Sequence, residues 1–337
     1  MKLLEIKNLR TEFKTQGGVV QAVRGVNLHI DKGEFIGLVG ESGSGKSVTM
    51  LSVMGLLAEN GRVTEGEIIF DGKDISPLQF AHNGGIKAYE QMMQKIRSKE
   101  IGMVFQDPMT FLNPVLRVDT QLMESLILHQ HMNNRQAREK ALELMDLVGI
   151  PSPKDRLKQY PFEFSGGMRQ RIIIAIALSC NPKLIIADEP TTALDLTIQA
   201  QILELMIDLK KKLDSSILLI THDLGVVASS CSRVIIMYGG KVVEQGSASE
   251  IFYKTKHPYT LGLLNSINNP ELDESKTLIP IPGSTPDLLR PPKGCPFVDR
   301  CSKAMWVCKE YPPEEKTFSE THKVSCWLHY DRSVGNG

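Results

Sequence analysis

The chain lacks any apolar run able to cross a bilayer as a helix: its most continuous one, residues 172–178, falls far short of the roughly 18 residues a span needs. A helical channel or carrier is therefore not expected. It also lacks an excess of charge of either sign. Its 39 basic residues balance 39 acidic ones, so bulk electrostatics points to neither a nucleic acid nor an acidic substrate. Residues 1–30 contain no continuous hydrophobic region, so no secretory leader is expected. Tight C-x2–4-C pairs are missing as well, which speaks against a zinc ribbon. What these absences leave is a soluble, cytoplasmic chain of 337 residues, long enough for one large domain or two smaller ones.

The most informative stretch present follows an apolar run at residues 35–39, which reads as a buried strand. That run breaks into Gly40-Glu41-Ser42-Gly43-Ser44-Gly45-Lys46-Ser47, and helix-compatible sequence continues to residue 57. G-x-x-x-x-G-K-S between a strand and a helix is a phosphate-binding loop. Its glycines let several backbone N–H groups face one concavity at a helix N-terminus. Lys46 can reach terminal phosphates, and the Ser47 hydroxyl can hold Mg²⁺. The pattern implies a bound nucleoside triphosphate.

Alternation at residues 3–13 and extended character at 19–30 predict two strands around Gly17-Gly18. Further strands are predicted at 67–70, 101–105, 184–187 and 216–221, and 234–238 with 241–245 reads as a hairpin across Gly239-Gly240. Helical periodicity covers 87–97, 119–148, 168–178, 197–212 and 224–230. Alternation of strands and helices around a phosphate loop predicts an α/β core of the P-loop type. Prolines (Pro258, Pro282, Pro286, Pro291, Pro292) and cysteines accumulate from about residue 257, which places a domain boundary near 255.

Asp188 and Glu189 close the apolar strand at 184–187, where open α/β sheets place their ligands. Asp188 suits Mg²⁺ held through water, and Glu189 suits polarising a water that attacks a γ-phosphate. Two solvated acids in a surface turn are the alternative. His222 and Gln106 each follow a predicted strand and would lie at the same edge, although either alone is a weak signal.

Phe164-Ser165-Gly166-Gly167-Met168-Arg169-Gln170-Arg171 resembles the signature motif of ABC transporter ATPase subunits. The order of motifs over residues 3–255 is similar to that family as well, with Ala193-Leu194-Asp195 in the D-loop position. The resemblance implies an α/β ABC ATPase fold over residues 1–255: a RecA-like core, an antiparallel β subdomain and an inserted helical subdomain at about 110–180. It implies ATP contacts from Gly40, Ser42, Gly43, Ser44, Gly45, Lys46, Ser47, Val48 and Asp188, with Phe13 stacking on adenine unless it is simply a core strand residue. Mg²⁺ would be held by Ser47 and Gln106, and hydrolysis served by Glu189, His222 and Gln106. Ser165, Gly166 and Gly167 would close over ATP held by a second ABC ATPase subunit in a head-to-tail dimer. The family's usual glutamine is Met168 here, a departure that leaves the Ser165 hydroxyl and the backbone amides in place.

The stretch 104–110, His257-Pro258-Tyr259-Thr260 and Ile281-Pro282-Gly283 are similar to the ATPase subunits of dipeptide and oligopeptide importers. So is an extension over 256–337 bearing Gly294-Cys295-Pro296-Phe297 and Arg300-Cys301. The likeness is greater to their D-type than to their F-type subunit, and relatives of the group handle nickel, glutathione or sugars. It implies two membrane permease subunits, an indirect peptide-binding protein, no nucleic acid, and a place at the cytoplasmic face of the membrane. A soluble ABC ATPase acting on nucleic acid or ribosomes is opposed by the single cassette and the zero net charge. A ferredoxin-like carrier is opposed by the full hydrolytic set. Cys295, Cys301, Cys308 and Cys326 follow C-x5-C-x6-C-x17-C. Four thiolates can hold a [4Fe–4S] cluster, as the resemblance implies, with zinc or free thiols or a disulfide as alternatives.

Overall fold

The computed structural model describes residues 1–80, 85–192, 194–266 and 281–330. Ala193 of the expected D-loop lies outside them. The chain opens with β1 (Lys2–Thr15), β2 (Gly18–Asp31), β3 (Phe35–Val39), α1 (Lys46–Met54), β4 (Gly61–Phe70), β5 (Lys73–Asp74) and α2 (Gly85–Ile96). It continues through β6 (Ile101–Val104), α3 (Pro108–Phe111), α4 (Val118–Gln130), α5 (Asn134–Leu147), α6 (Pro153–Arg156) and α7 (Gly166–Leu178). Next come β7 (Leu184–Asp188), α8 (Leu196–Lys212), β8 (Ser216–Thr221), α9 (Leu224–Ser230), β9 (Arg233–Tyr238) and β10 (Lys241–Ser247). Then follow α10 (Ala248–Lys254), α11 (Pro258–Asn265), α12 (Trp306–Glu310), β11 (Lys316–Thr317) and β12 (Lys323–Val324). No helix among the described residues is long and apolar enough to cross a membrane.

The residues gather into two compact units. The first comprises Met1–Leu4, His29–Phe35 and Phe70–Ile220; the second comprises Glu5–Leu28, Ile36–Ile69 and Thr221–Gly337. In the first unit β7 lies between β6 and β8, and all three run parallel, from Ile101↔Leu184 to Val104↔Ala187 and from Leu184↔Ser216 to Asp188↔Ile220. The strands are buried throughout, which is why they read as continuous apolar runs rather than alternating ones. Helix α5 buries one stripe, Ala137, Ala141, Leu144 and Met145, at helical spacing, and packs with α4 and α7. The single helical pattern expected over 119–148 is two helices. His131 ends α4 in the left-handed region, and Asn133 starts α5 with a capping box completed by Gln136. The apolar spacing continues on both sides of that break, so periodicity alone did not mark it.

In the second unit β3 runs parallel to β9, from Ile36↔Arg233 to Val39↔Ile236, and β10 folds back antiparallel on β9. β12 pairs antiparallel with β10, and β11 with β12, so the C-terminal segment adds strands to a sheet begun hundreds of residues earlier. β1 and β2 are sheet neighbours joined by two residues, an antiparallel hairpin, with β4 on the other side of β1. The register of β10 shifts between Val242 and Glu244, and Glu244 is fully buried. Its carboxylate accepts the N–H groups of Lys256 (2.7 Å) and His257 (3.1 Å) and the Thr255 hydroxyl (2.8 Å), and stands 2.8 Å from His322 Nε2. One buried carboxylate thus ties β10 to the link before α11 and to the β11–β12 loop.

Removing that carboxylate strands four partners, of which His257 and His322 are buried. Glu244→Ala is expected to cost about 3–5 kcal/mol in urea unfolding. A loss below about 1 kcal/mol would mean that the network is not structural. His257, also fully buried, accepts the Tyr259 N–H on Nδ1 at 3.1 Å, and burial lowers its pKa from the ordinary 6.5 to about 4. The unfolded chain therefore takes up the proton first. This group's contribution to stability is complete above about pH 6.5 and is lost as pH falls toward 4. The melting temperature should fall across that window less steeply in His257→Asn than in the wild-type protein.

Candidate functional site

The phosphate loop belongs to the second unit. Buried β3 delivers the chain to Gly40, where an added Cβ would stand 2.2 Å from the Met237 carbonyl oxygen. At Gly45 (φ 99°) a Cβ would stand 2.6 Å from the Ala22 carbonyl oxygen, so both positions require glycine. Gly45 starts α1 without a side-chain cap, which suits the helix N-terminus to an anion. Lys46 is buried and folds back across the loop, donating from Nζ to the carbonyl oxygens of Gly40 (2.7 Å) and Glu41 (3.0 Å). The Thr49 hydroxyl donates to the Gly45 carbonyl at 2.7 Å and fixes the first turn. Ser42 and Gly43 are exposed, Ser44 and Gly45 are buried, and Ser47 and Val48 are half-buried. This concavity of backbone and one ammonium fits a polyphosphate.

The first unit carries two of the candidate hydrolytic residues, Gln106 and Glu189. Because Val104 is in register with Ala187, Gln106 and Glu189 each lie two residues further on, at the same strand edge. Gln106 Nε2 donates to Glu189 Oε2 at 2.9 Å, and the Thr192 hydroxyl donates to the same oxygen at 2.9 Å. Glu189 adopts φ 44°, a left-handed conformation uncommon for a side-chain-bearing residue, and its N–H donates to the Ile220 carbonyl at 2.9 Å. Asp188 is buried as the last residue of β7. Thr192 was missed from the sequence; a hydroxyl three residues beyond a candidate acid is a weak signal.

The remaining candidates are placed as follows. Ser165 is exposed and caps α7, its hydroxyl accepting the Met168 N–H at 3.4 Å. The turn before it is held by Arg169, whose Nε donates to the carbonyls of Pro161 (2.8 Å) and Phe164 (3.0 Å). Gly166 and Gly167 form the first residues of α7. These all belong to the first unit. His222, exposed just after β8, and Phe13, half-buried on β1 where a Cβ on Gly61 would meet its ring, belong to the second.

The expectation of a [4Fe–4S] cluster is corrected. Among the described residues no three His, Cys, Asp or Glu side chains are grouped so as to hold a metal ion. Among the described residues no disulfide forms, and Cys295, Cys308 and Cys326 are buried. Desolvation pushes the Cys295 thiol up to about 12 and that of Cys326 up to about 11. The extension is instead held by packing, by strand pairing, and by backbone contacts such as the Cys295 N–H to the Cys308 carbonyl at 2.8 Å.

Comparison with known proteins bears on the site as a whole. Residues 23–192 match the family described as ABC transporter, and residues 243–308 match Oligopeptide/dipeptide transporter, C-terminal region. The chain is 55% identical to the oligopeptide transport ATP-binding protein OppD of Bacillus subtilis, over 97% of this chain and 89% of that one. It is 51% identical to the dipeptide transport ATP-binding protein DppD of the same organism, over 98% and 96%. Against OppD of Escherichia coli the identity is 50%, over 93% and 90%. Among solved structures, a dimeric post-hydrolysis ATP-binding cassette bound to ADP and phosphate is similar, with TM-score 0.62 and 30% identity over 73% of this chain and 98% of that one. With the phosphate loop, the Gln106–Glu189 pair and the Ser165 cap in place, and half its residues shared with such proteins along nearly their whole length, this chain belongs to the ABC transporter family.

Proposed function

We propose that this chain is the ATP-binding and ATP-hydrolysing subunit that powers uptake of dipeptides or oligopeptides through an ABC importer. The observation that carries the hydrolytic part is the 2.9 Å hydrogen bond between Gln106 and Glu189 at the strand edge. The peptide substrate is supported by relatives that bear oligopeptide and dipeptide transport names at 50% identity or more. On this reading residues 1–255 are the nucleotide-binding domain, with a helical subdomain at about 110–180, and residues 256–337 the extension.

Phe13 stacks on the adenine ring. Gly40, Ser42, Gly43, Ser44, Gly45 and Val48 cradle the phosphates with their backbone, and Lys46 turns its ammonium from the Gly40 and Glu41 carbonyls to the terminal phosphates. Ser47, Gln106 and Asp188 would hold Mg²⁺, which would neutralise charge that develops on the phosphate oxygens. Glu189 accepts a proton from the attacking water while Gln106 and Thr192 fix its carboxylate, and His222 serves the γ-phosphate. Ser165, Gly166 and Gly167 act on nucleotide held by a second ATPase subunit, identical or a sister chain. The dimeric state of the similar cassette supports that arrangement. Downstream of Gln106 the first unit exposes Met109, Phe111, Val115 and Leu116, an apolar surface that suits docking of two membrane permease subunits beside the membrane. A peptide-binding protein delivers the solute to those permeases.

Glu189→Gln should retain ATP binding and lose about 100-fold or more in turnover; undiminished hydrolysis would remove Glu189 from this role. Thr192→Val frees one hydrogen bond on the same oxygen. It should lower kcat roughly three- to tenfold with little change in ATP affinity, measured by steady-state phosphate release. The importer assignment itself is checked by co-purification with two permease subunits and ATP-dependent peptide uptake.

A further inference from the structure

Glu41 is the second residue of the phosphate loop, a carboxylate inside a loop built to receive anions. Its side chain is engaged by Arg300, a residue of the C-terminal extension 259 positions away. The contact is bidentate, Nη1 to Oε2 at 2.5 Å and Nη2 to Oε1 at 3.1 Å, and the Arg300 side chain is only 6% exposed. The remaining donors are also taken. Nε donates to the Pro282 carbonyl (2.8 Å), Nη2 to the Ile281 carbonyl (3.0 Å), and Nη1 to the Tyr238 hydroxyl (3.2 Å). All five N–H groups of the guanidinium thus have an acceptor, a fixed fork that leaves no other orientation.

A second hand holds the same residue. The Tyr259 hydroxyl accepts the Glu41 backbone N–H at 2.9 Å, and Tyr259 is fully buried in contact with Tyr238 and Phe297. Tyr259 is in turn set at the start of α11 by the His257 cap. The stretches His257-Pro258-Tyr259 and Ile281-Pro282, which no step of hydrolysis uses, therefore converge on one loop residue. The Glu41 carbonyl is one of the two that grip Lys46. The chain of contacts runs from the extension, through Glu41, to the lysine of the phosphate site, all within the second unit.

We infer that Arg300 is a positioning residue of the nucleotide site: by pairing with Glu41 it cancels that carboxylate's charge and holds the loop in the form that accepts a polyphosphate. The inference rests on the ATP-binding reading above and goes beyond it by making the C-terminal extension part of the nucleotide site. Without the guanidinium, Glu41 is an uncompensated anion in the loop and repels the phosphates of an incoming nucleotide.

The test measures ATP binding and steady-state hydrolysis with the full chain. Arg300→Gln should raise the Kd and KM for ATP about tenfold while kcat at saturating ATP stays within about twofold. The double variant Arg300→Gln with Glu41→Gln removes both charges and should recover most of the lost affinity, which a purely structural role would not allow. Arg300→Lys, with the charge kept and the fork lost, should fall between, and it serves if Arg300→Gln does not fold. Wild-type affinity in Arg300→Gln, or a double variant no better than the single one, overturns the inference. Failure of the wild-type chain to bind ATP overturns the nucleotide reading itself.

Discussion

Lys46 bends back across the loop that bears it, and the two carbonyl oxygens it grips, those of Gly40 and Glu41, are the geometry around which the nucleotide site is built. A buried ammonium must keep acceptors, because an unpaired charge at that depth is far costlier than a strained loop. The need for those acceptors explains the neighbourhood. Gly40 lets the chain pass against the Met237 carbonyl, Gly45 lets it pass against that of Ala22, and the Thr49 hydroxyl locks the turn that follows. A polyphosphate offers stronger acceptors than two amide carbonyls, and on the proposed reading the lysine would transfer its hydrogen bonds to one.

Glu189 meets a different constraint. The carboxylate must stand at the end of a buried parallel strand and face a neighbouring strand end, and the chain reaches that position through a left-handed residue. The conformation is unfavourable by itself; its N–H bond to Ile220 and the two donors on Oε2 offset the cost. Both donors converge on one oxygen, so the carboxylate has a fixed orientation.

The C-terminal extension is bound to the rest of the second unit by pairing, by charge and by aromatic packing. β12 pairs with β10, Glu244 gathers four partners from two segments, and Phe297 packs against Tyr238 and Tyr259. Cys295, Cys308 and Cys326 contribute as small buried groups within that packing. The family resemblance implied a cluster, and four sulfurs were available for it. Whether a metal-holding group forms is a question of where each backbone segment carries its side chains, and none forms among the described residues.

The sequence by itself determined the elements whose causes are local. The glycine loop between strand and helix, the buried strands, the two carboxylates after β7 and the serine cap of α7 were all legible, because backbone freedom and apolar runs are properties of short stretches. The Gln106–Glu189 contact was half legible: each residue could be placed after a strand, but only the register of β6 with β7 brings them together. The break at His131 and the Thr192 donor rest on neighbours a few residues apart that the apolar spacing did not mark. Only packing decided the fate of the cysteines and the convergence of Arg300 and Tyr259 on Glu41. These depend on contacts between residues far apart in the chain, whose partners are chosen by packing, and no local pattern of residue types records that choice.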